Sequence, residues 1–317
     1  RKNGGIIGPA NTPVGGIVAG VAGGVWRMND VLNFVSNSQW PKAPEDIDNS
    51  LRFNSGSTDN LSRTPSVAGD SKTFTFSAWV KRSNLGNATI FGARVDANTN
   101  FFITFQSDDT FRVKNKIGGT TKTIVTNRLF RDLSAWYHIV FQMDTTQSTE
   151  SNRTKIYING VQETSFSTEE YPAQDANTAV NQTVEHNVGD DVSDTGFFNG
   201  YMAEVCFIDG QALTPSSFGE TDSTTEIWKP KKIGAIANAG TNSFYFNFKD
   251  SSNVGKDESG LGNNFTVNNL TSIDQSTDTC VENFATLNPL TNEDTDITLS
   301  QGNLDYSNSG GDETVFA

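Results

Sequence analysis

The segment Lys72 to Lys81 reads Lys-Thr-Phe-Thr-Phe-Ser-Ala-Trp-Val-Lys. Phe74, Phe76, Ala78 and Val80 fall on one side of an extended chain, and Thr73, Thr75, Ser77 and Trp79 on the other. A period of two belongs to a strand and requires a sheet with one buried face. The pattern recurs. Phe101, Ile103 and Phe105 share a face, as do Tyr137, Ile139, Phe141 and Met143. Phe111, Val113 and Ile117 point inward, with Arg112, Lys114 and Lys116 outward. Further strands are predicted at residues 51–53, 155–158, 200–208 and 244–248. Asn159-Gly160 between two such runs predicts a hairpin, because both residues tolerate positive φ. Asp209-Gly210 reads as a turn, and Leu213-Thr214-Pro215 as the start of a short helical turn. Many short strands without alternating helices predict an all-β, antiparallel two-sheet sandwich, with Phe74, Phe76, Ile139, Phe141 and Val205 in one core.

A hydrophobic content of 35% is low for a globular chain, but 22 Phe supply large apolar area per residue. The net charge of -14 argues against nucleic acid as a partner, since phosphate contact needs clustered Lys and Arg. Solubility and cation binding by Asp-rich loops are both open readings of the acidity. Two cysteines, Cys206 and Cys280, make neither a disulfide framework nor a zinc site and are expected as free thiols. The apolar run Val14 to Trp26 is shorter than the roughly 20 residues of a membrane span and is rich in Gly, so no transmembrane helix is predicted.

Three regions follow. Residues 1–49 are a glycine-rich arm with a short helix over 27–36, where Met28, Val31, Leu32 and Val35 make an apolar stripe. The arm is either a floppy terminus or an extended segment that orders against a neighbouring subunit. Its recurring Ile6, Ile7, Val14, Ile17, Val18 and Val21 favour the second. Residues 50–222 hold the sandwich. Residues 223–317 read as a β-rich C-terminal region, taken as the start of a further domain. The chain begins at Arg1 and ends in an apolar Thr314-Val-Phe-Ala317, so a longer parent is expected.

Three phrases resemble one family. Thr73-Phe-Thr-Phe-Ser-Ala-Trp-Val-Lys81 is similar to an early strand of the laminin-G/pentraxin-like group of the concanavalin A-like lectin/glucanase superfamily. Trp136-Tyr-His-Ile-Val140 with Lys155-Ile-Tyr-Ile-Asn-Gly160 resembles its central strand pair, and Phe198-Asn-Gly-Tyr-Met-Ala-Glu-Val205 with Ala212-Leu213 its closing signature. The three occur in the expected order over about residues 50–222, and the resemblance implies a jelly roll. Ser50-Leu-Arg-Phe-Asn54, Leu61-Ser-Arg-Thr64, Phe207 to Leu213 and Asp257 to Asn264 resemble structural proteins of tailed, particularly marine, bacteriophages. That resemblance implies a virion structural protein. It would be a fibre or appendage component, expected as a homotrimer in contact with other virion proteins and with possible recognition of host-surface glycans. The alternatives are a cellular lectin-type carbohydrate-binding protein and a capsid decoration protein.

The superfamily includes glycoside hydrolases, which need two carboxylates flanking the bond. No strand carries the tight Glu-x-Asp-x-x-Glu pattern, and Glu169 and Glu170 sit in a loop beside Tyr171-Pro172. His138 reads as structural, and His186 lacks a Cys, Ser or second His nearby. No Gly-Lys-Ser/Thr phosphate loop is present. A non-enzyme without a cofactor is therefore expected, with Ca²⁺ as the one cation to consider. The best ligand candidate is Gly189 to Asn199. Its Asp190, Asp191 and Asp194 suit calcium, while Phe197, Asn199 and, from elsewhere, Trp79 suit a sugar. The competing reading makes the loop a solvated turn and Trp79 a cover for the sheet's outer face. Asp257 to Asn264 reads chiefly as a turn.

Overall fold

The computed structural model describes residues 47–193, 195–223, 225–234, 236–283, 297–300 and 303–308. The glycine-rich arm, the expected helix over 27–36 and Asp194 lie outside the described residues. Those described belong to a unit running from Ile47 to Ala317.

The strands, in chain order, begin with β1 (Ser50–Phe53), β2 (Asn60–Arg63), β3 (Thr73–Arg82), β4 (Ala88–Asp96) and β5 (Thr99–Phe105). Next come β6 (Thr110–Ile117), β7 (Thr120–Leu129), β8 (Tyr137–Asp144), β9 (Thr154–Ile158) and β10 (Val161–Gln162). They continue with β11 (Phe166–Glu169), β12 (Glu185–Val188), β13 (Gly200–Asp209), β14 (Gly219–Thr221) and β15 (Trp228–Pro230). The last are β16 (Phe244–Phe246), β17 (Thr266–Asn268), β18 (Gln275–Ser276), β19 (Ile297–Ser300) and β20 (Asp305–Asn308). Sheet I runs β10-β9-β8-β3-β13-β1-β18, with β16 also on β13, and sheet II runs β11-β7-β6-β5-β4-β12-β2-β17. Every pairing is antiparallel, and the two sheets form the sandwich expected of a jelly roll.

The alternation in β3 is realised. Phe74, Phe76, Ala78 and Val80 are fully buried in one core with Ile139, Phe141 and Val205 from sheet I and Phe91, Phe101 and Ile103 from sheet II. Aromatic contacts knit the layers. Phe76 stacks on Phe91 at 5.0 Å, and Phe74 meets Phe101 edge-on at 5.6 Å. Asn159 (φ 49°) and Gly160 (φ 81°) turn the β9–β10 hairpin, as both central positions of a type I′ turn require.

Two features depart from the sequence reading. First, β13 is bulged. Its register against β3 slips between Ala203 and Cys206, and Glu204 sits at φ 50°. The extra residue lets both Met202 and Val205 face the core. It also marks the junction where β1 and β16 lie end to end along the same edge of β13, pairing with 200–202 and 205–207.

Second, the region after residue 222 does not begin a separate domain. β16 and β18 extend sheet I, and β17 extends sheet II. Phe244, Phe246, Phe248, Val254, Phe265 and Leu270 enter the same core as β3. The physical reason is closure: without them the edge of β13 beyond the bulge lacks a partner strand and Phe207 lacks its neighbour Phe244 at 5.5 Å. β19 and β20 pair with each other.

Candidate functional site

The two outer faces of the sandwich differ. Sheet I is roofed. Ile47, Trp79, Trp136, Tyr201 and Ala203 form one apolar cluster over it, with Trp228 and Cys280 packed against them. Val140, Tyr157, Cys206, Ile208 and Phe218 form a second, met by Leu213, Ile233, Ile236 and Tyr245. A cleft of about 400 Å³ opens beside the second cluster. Its lining mixes the apolar Ile208, Ile233, Ile236 and Leu261 with Asn238, Ser243, Glu258 and Ser259, and the hydroxyl of Tyr245 is turned away to Glu204.

The outer face of sheet II is polar. Because Phe101 and Ile103 enter the core, the pleat puts Asn100, Phe102 and Thr104 on the other side. Register then aligns Gly92, Phe102 and Lys114 in one row, and Arg94, Asn100 and Lys116 in the next. Thr104 and Arg112 make a third. Asn187 pairs with Gly92 on one side and Ser62 on the other, extending the first row.

The Gly189 to Asn199 loop crosses this face. Gly92 permits the crossing: a Cβ there would meet the Asp190 carbonyl oxygen at 2.9 Å and the Asp191 Cα at 3.2 Å. Asp190 is fully buried. Its Oδ2 accepts from Asn187 Nδ2 at 3.0 Å and Val192 N at 3.1 Å. Its Oδ1 and the Asn187 Oδ1 are buried without a hydrogen-bond partner, as are Asn100 Oδ1 and Arg112 Nε on the same face. Burial pushes the Asp190 carboxyl up, against the pull of the Asn187 amide. Asp191 is half-buried. Burial also pushes its carboxyl up, but hydrogen bonds from Thr195 and Ser193 bring it below the ordinary range.

The other predicted site residues disperse. Phe197 is half-buried in the same loop. Asn199 is buried, and its Oδ1 accepts from Arg52 Nη2 at 2.5 Å. Trp79 lies in the roof of sheet I with 4% exposure, its indole stacked 4.8 Å from the His138 ring. It offers no ring face to a sugar and leaves the candidate set. Among the described residues, no group of three or more His, Cys, Asp or Glu side chains is arranged to hold a metal ion. Asp257 organises its own turn, accepting from Tyr245 N, Ser259 N and Asn263 N at 2.8–2.9 Å. Cys206 and Cys280 are both free thiols.

Both histidines are structural parts of the fold. The Trp228 indole, a donor only, bonds His138 Nδ1 at 2.9 Å, so Nε2 carries the proton toward Ser77 Oγ at 3.0 Å. Trp79, His138 and Trp228 make one stack, and burial lowers the imidazole to about 3. His186 accepts from Asn181 N at 2.9 Å, and burial lowers it to about 4.

Glu204 was not singled out by sequence, because neither a bulge nor its surroundings show in the strand pattern. Its carboxyl is buried and accepts from Tyr245 Oη at 2.5 Å. Burial raises it to about 7, against the Tyr245 hydrogen bond and Lys249. Between about 4.5 and 7 the native state therefore holds a proton that the unfolded chain has lost, and stability falls as pH rises through that window. Glu204→Gln is expected to match the parent near pH 4.5 and to exceed it by about 3 kcal/mol at pH 8, in urea unfolding at both pH values. An equal difference at the two pH values would remove the argument.

No curated protein matches the chain. Similar solved structures include a candidate carbohydrate-binding protein of Bacteroides ovatus, with 16% identity and a TM-score of 0.46, covering 72% of this chain and 60% of that one. The heptameric SAP-like pentraxin of Limulus polyphemus has 17% identity and a TM-score of 0.38, with 53% and 79% covered. Domains LG4-5 of the mouse laminin α1 chain have 13% identity and a TM-score of 0.39, with 64% and 48% covered. At such values these structures say nothing of this chain's ligand. The family model of the Concanavalin A-like lectin/glucanases superfamily matches residues 55–217, just over half of the chain, and the protein belongs to that superfamily.

Proposed function

We propose that this chain is a non-catalytic glycan-binding module whose site is the outer face of sheet II beneath the 189–199 loop. The observation that carries the reading is the contrast between the faces. Sheet I is covered by two apolar clusters, and the unpartnered polar atoms on that side are the donors Trp79 Nε1, Trp136 Nε1 and Arg52 Nε, whereas the polar outer face of sheet II holds the unpartnered oxygens of Asn100, Asn187 and Asp190 beside Arg112 Nε. Such atoms suit the hydroxyls of a saccharide, each of which both donates and accepts. The buried Glu204 is paired with the Tyr245 phenol rather than with a second carboxylate, so the two-carboxylate arrangement of most glycosidases is not formed there.

A glycan array probed with the full chain tests this. Binding is expected, and Gly92→Val is expected to weaken it at least tenfold while circular dichroism stays unchanged, because the new side chain lifts the loop. Failure to bind any saccharide, or full binding by Gly92→Val, would refute the placement.

For the protein's setting we infer a fibre or appendage component of a tailed phage virion. The support is wording: Ser50 to Asn54, Leu61 to Thr64, Phe207 to Leu213 and Asp257 to Asn264. A cellular lectin would have the same fold. Mass spectrometry of purified particles separates the two: the chain is expected there at structural copy number, and its absence from particles would favour the cellular lectin.

A further inference from the structure

Four cations share the outer face of sheet II. Arg94 on β4 and Arg112, Lys114 and Lys116 on β6 are each half-buried. Register places them around Phe102, over whose ring Lys114 Nζ sits at 5.2 Å. Lys116 Nζ donates to the Ala97 carbonyl at 2.9 Å. Among the described residues, Arg94, Arg112 and Lys114 make no ion pair, and Arg112 Nε is buried without an acceptor.

Composition makes this unusual. The chain carries 37 acidic against 23 basic residues, so carboxylates to neutralise the patch are plentiful. Asp108 and Asp191 act on it and are committed to their own turns, and Glu185 on β12 lies opposite Arg94 in register. Asp108 accepts from Thr110 N and Oγ1, and Asp191 from Ser193 N and Thr195 Oγ1. Burial, and then repulsion from Arg112, Lys116 and Arg94, depress the Lys114 ammonium, with Asp191 opposing. Like charges held together without direct ion pairs are relieved by a bound anion.

We propose, resting on the glycan-binding reading above, that this face selects an acidic saccharide, its carboxylate or sulfate held by Arg112 and Lys114 with Arg94 and Lys116 flanking. A guanidinium fork matches the planar geometry of a carboxylate or two oxygens of a sulfate. The size of the patch also argues for a short ligand. From β4 to β6 is about 10 Å, and from Arg112 to Lys116 about 13 Å along the strand. That spans one or two charged groups. A nucleic acid needs a longer run of phosphate contacts and meets a chain of net charge -14.

The test is calorimetric titration of the full chain with a uronate hexasaccharide, a sulfated hexasaccharide and the carboxyl-reduced neutral counterpart of the first, plus a short single-stranded DNA. At least one acidic sugar should bind tenfold or more tighter than the neutral one, and more weakly as salt rises. Arg112→Gln/Lys114→Gln should abolish that preference, Arg94→Gln should weaken it severalfold, and Lys155→Gln on sheet I should leave it unchanged. Circular dichroism establishes that each variant is folded, and Arg94→Gln alone carries the test if the double variant is not. Equal binding of neutral and acidic sugars overturns this proposal and leaves the glycan reading standing. Binding of no sugar overturns both. DNA bound as tightly as the acidic sugars would mean an unselective anion surface and likewise overturns the proposal.

Discussion

A chain ending at residue 222 is expected not to fold. The family match stops at 217, and the family-like phrases in the sequence stop near 213. The tertiary structure does not stop there. Truncation would remove the strand along 205–207, the partner of β1 and the edge strand of sheet II. It would also take Phe244, Phe246, Phe248 and Phe265 out of the core. Losing a single buried Phe side chain costs about 3–5 kcal/mol, and a domain has only about 5–15 kcal/mol in all. The 1–222 product should therefore lack a cooperative thermal transition that the full chain shows. A sharp two-state transition in that product would refute the continuity argued for the sandwich.

Asp278→Ala is expected to destabilise the protein by about 3–5 kcal/mol. The Lys81 ammonium lies 2.8 Å from Asp278 Oδ2, with side-chain exposures of 5% and 0%. Lys81 also donates to Asn283 Oδ1 at 2.8 Å, and Asp278 receives Ser50 Oγ on its carbonyl. The pair thus fastens the 276–283 segment over sheet I. Removing the carboxylate alone leaves a buried ammonium without that counter-charge, whereas removing both charges does not. Lys81→Met/Asp278→Leu should recover most of the loss. Urea unfolding of parent, single and double variants measures this, and a single-variant loss below about 1 kcal/mol would show that the segment is not seated there.

Side-chain alternation made the central strands legible. In β3, β5, β8 and β9 the apolar residues recur every second position, so face and core membership follow from local geometry alone. Other strands have no such pattern. β4 carries two register irregularities, and β7 is largely polar because its outer positions face solvent. β17 and β18 are two or three residues long, and what makes them strands is the ladder waiting for them on β2 and β1, while β16 shows in the alternation of Phe244, Phe246 and Phe248 but its place beside β13 does not.

The candidate site divides in the same way. Asp190, Asp191 and Phe197 stood out as one oxygen-rich loop with an aromatic, and the structure lays Asp190 and Asp191 over Gly92 of sheet II. Asn199 and Trp79 stood out by residue type, but their partners are Arg52 and His138, 147 and 59 positions away, which no local pattern reveals. The cations of β6 were legible as outward-facing. Their convergence with Arg94 on β4 was not, because it depends on pairing both strands with β5.

By itself the sequence determined the all-β class, the central strands and the face of each that is buried, because these depend on interactions within one strand. Tertiary structure decided where the domain ends, which outer face is roofed, which charges go unpaired, and that Glu204 is buried at a bulge. Each of those depends on which distant strand or loop takes up a given backbone edge and a given side of the pleat, and residue spacing along the chain carries no record of it.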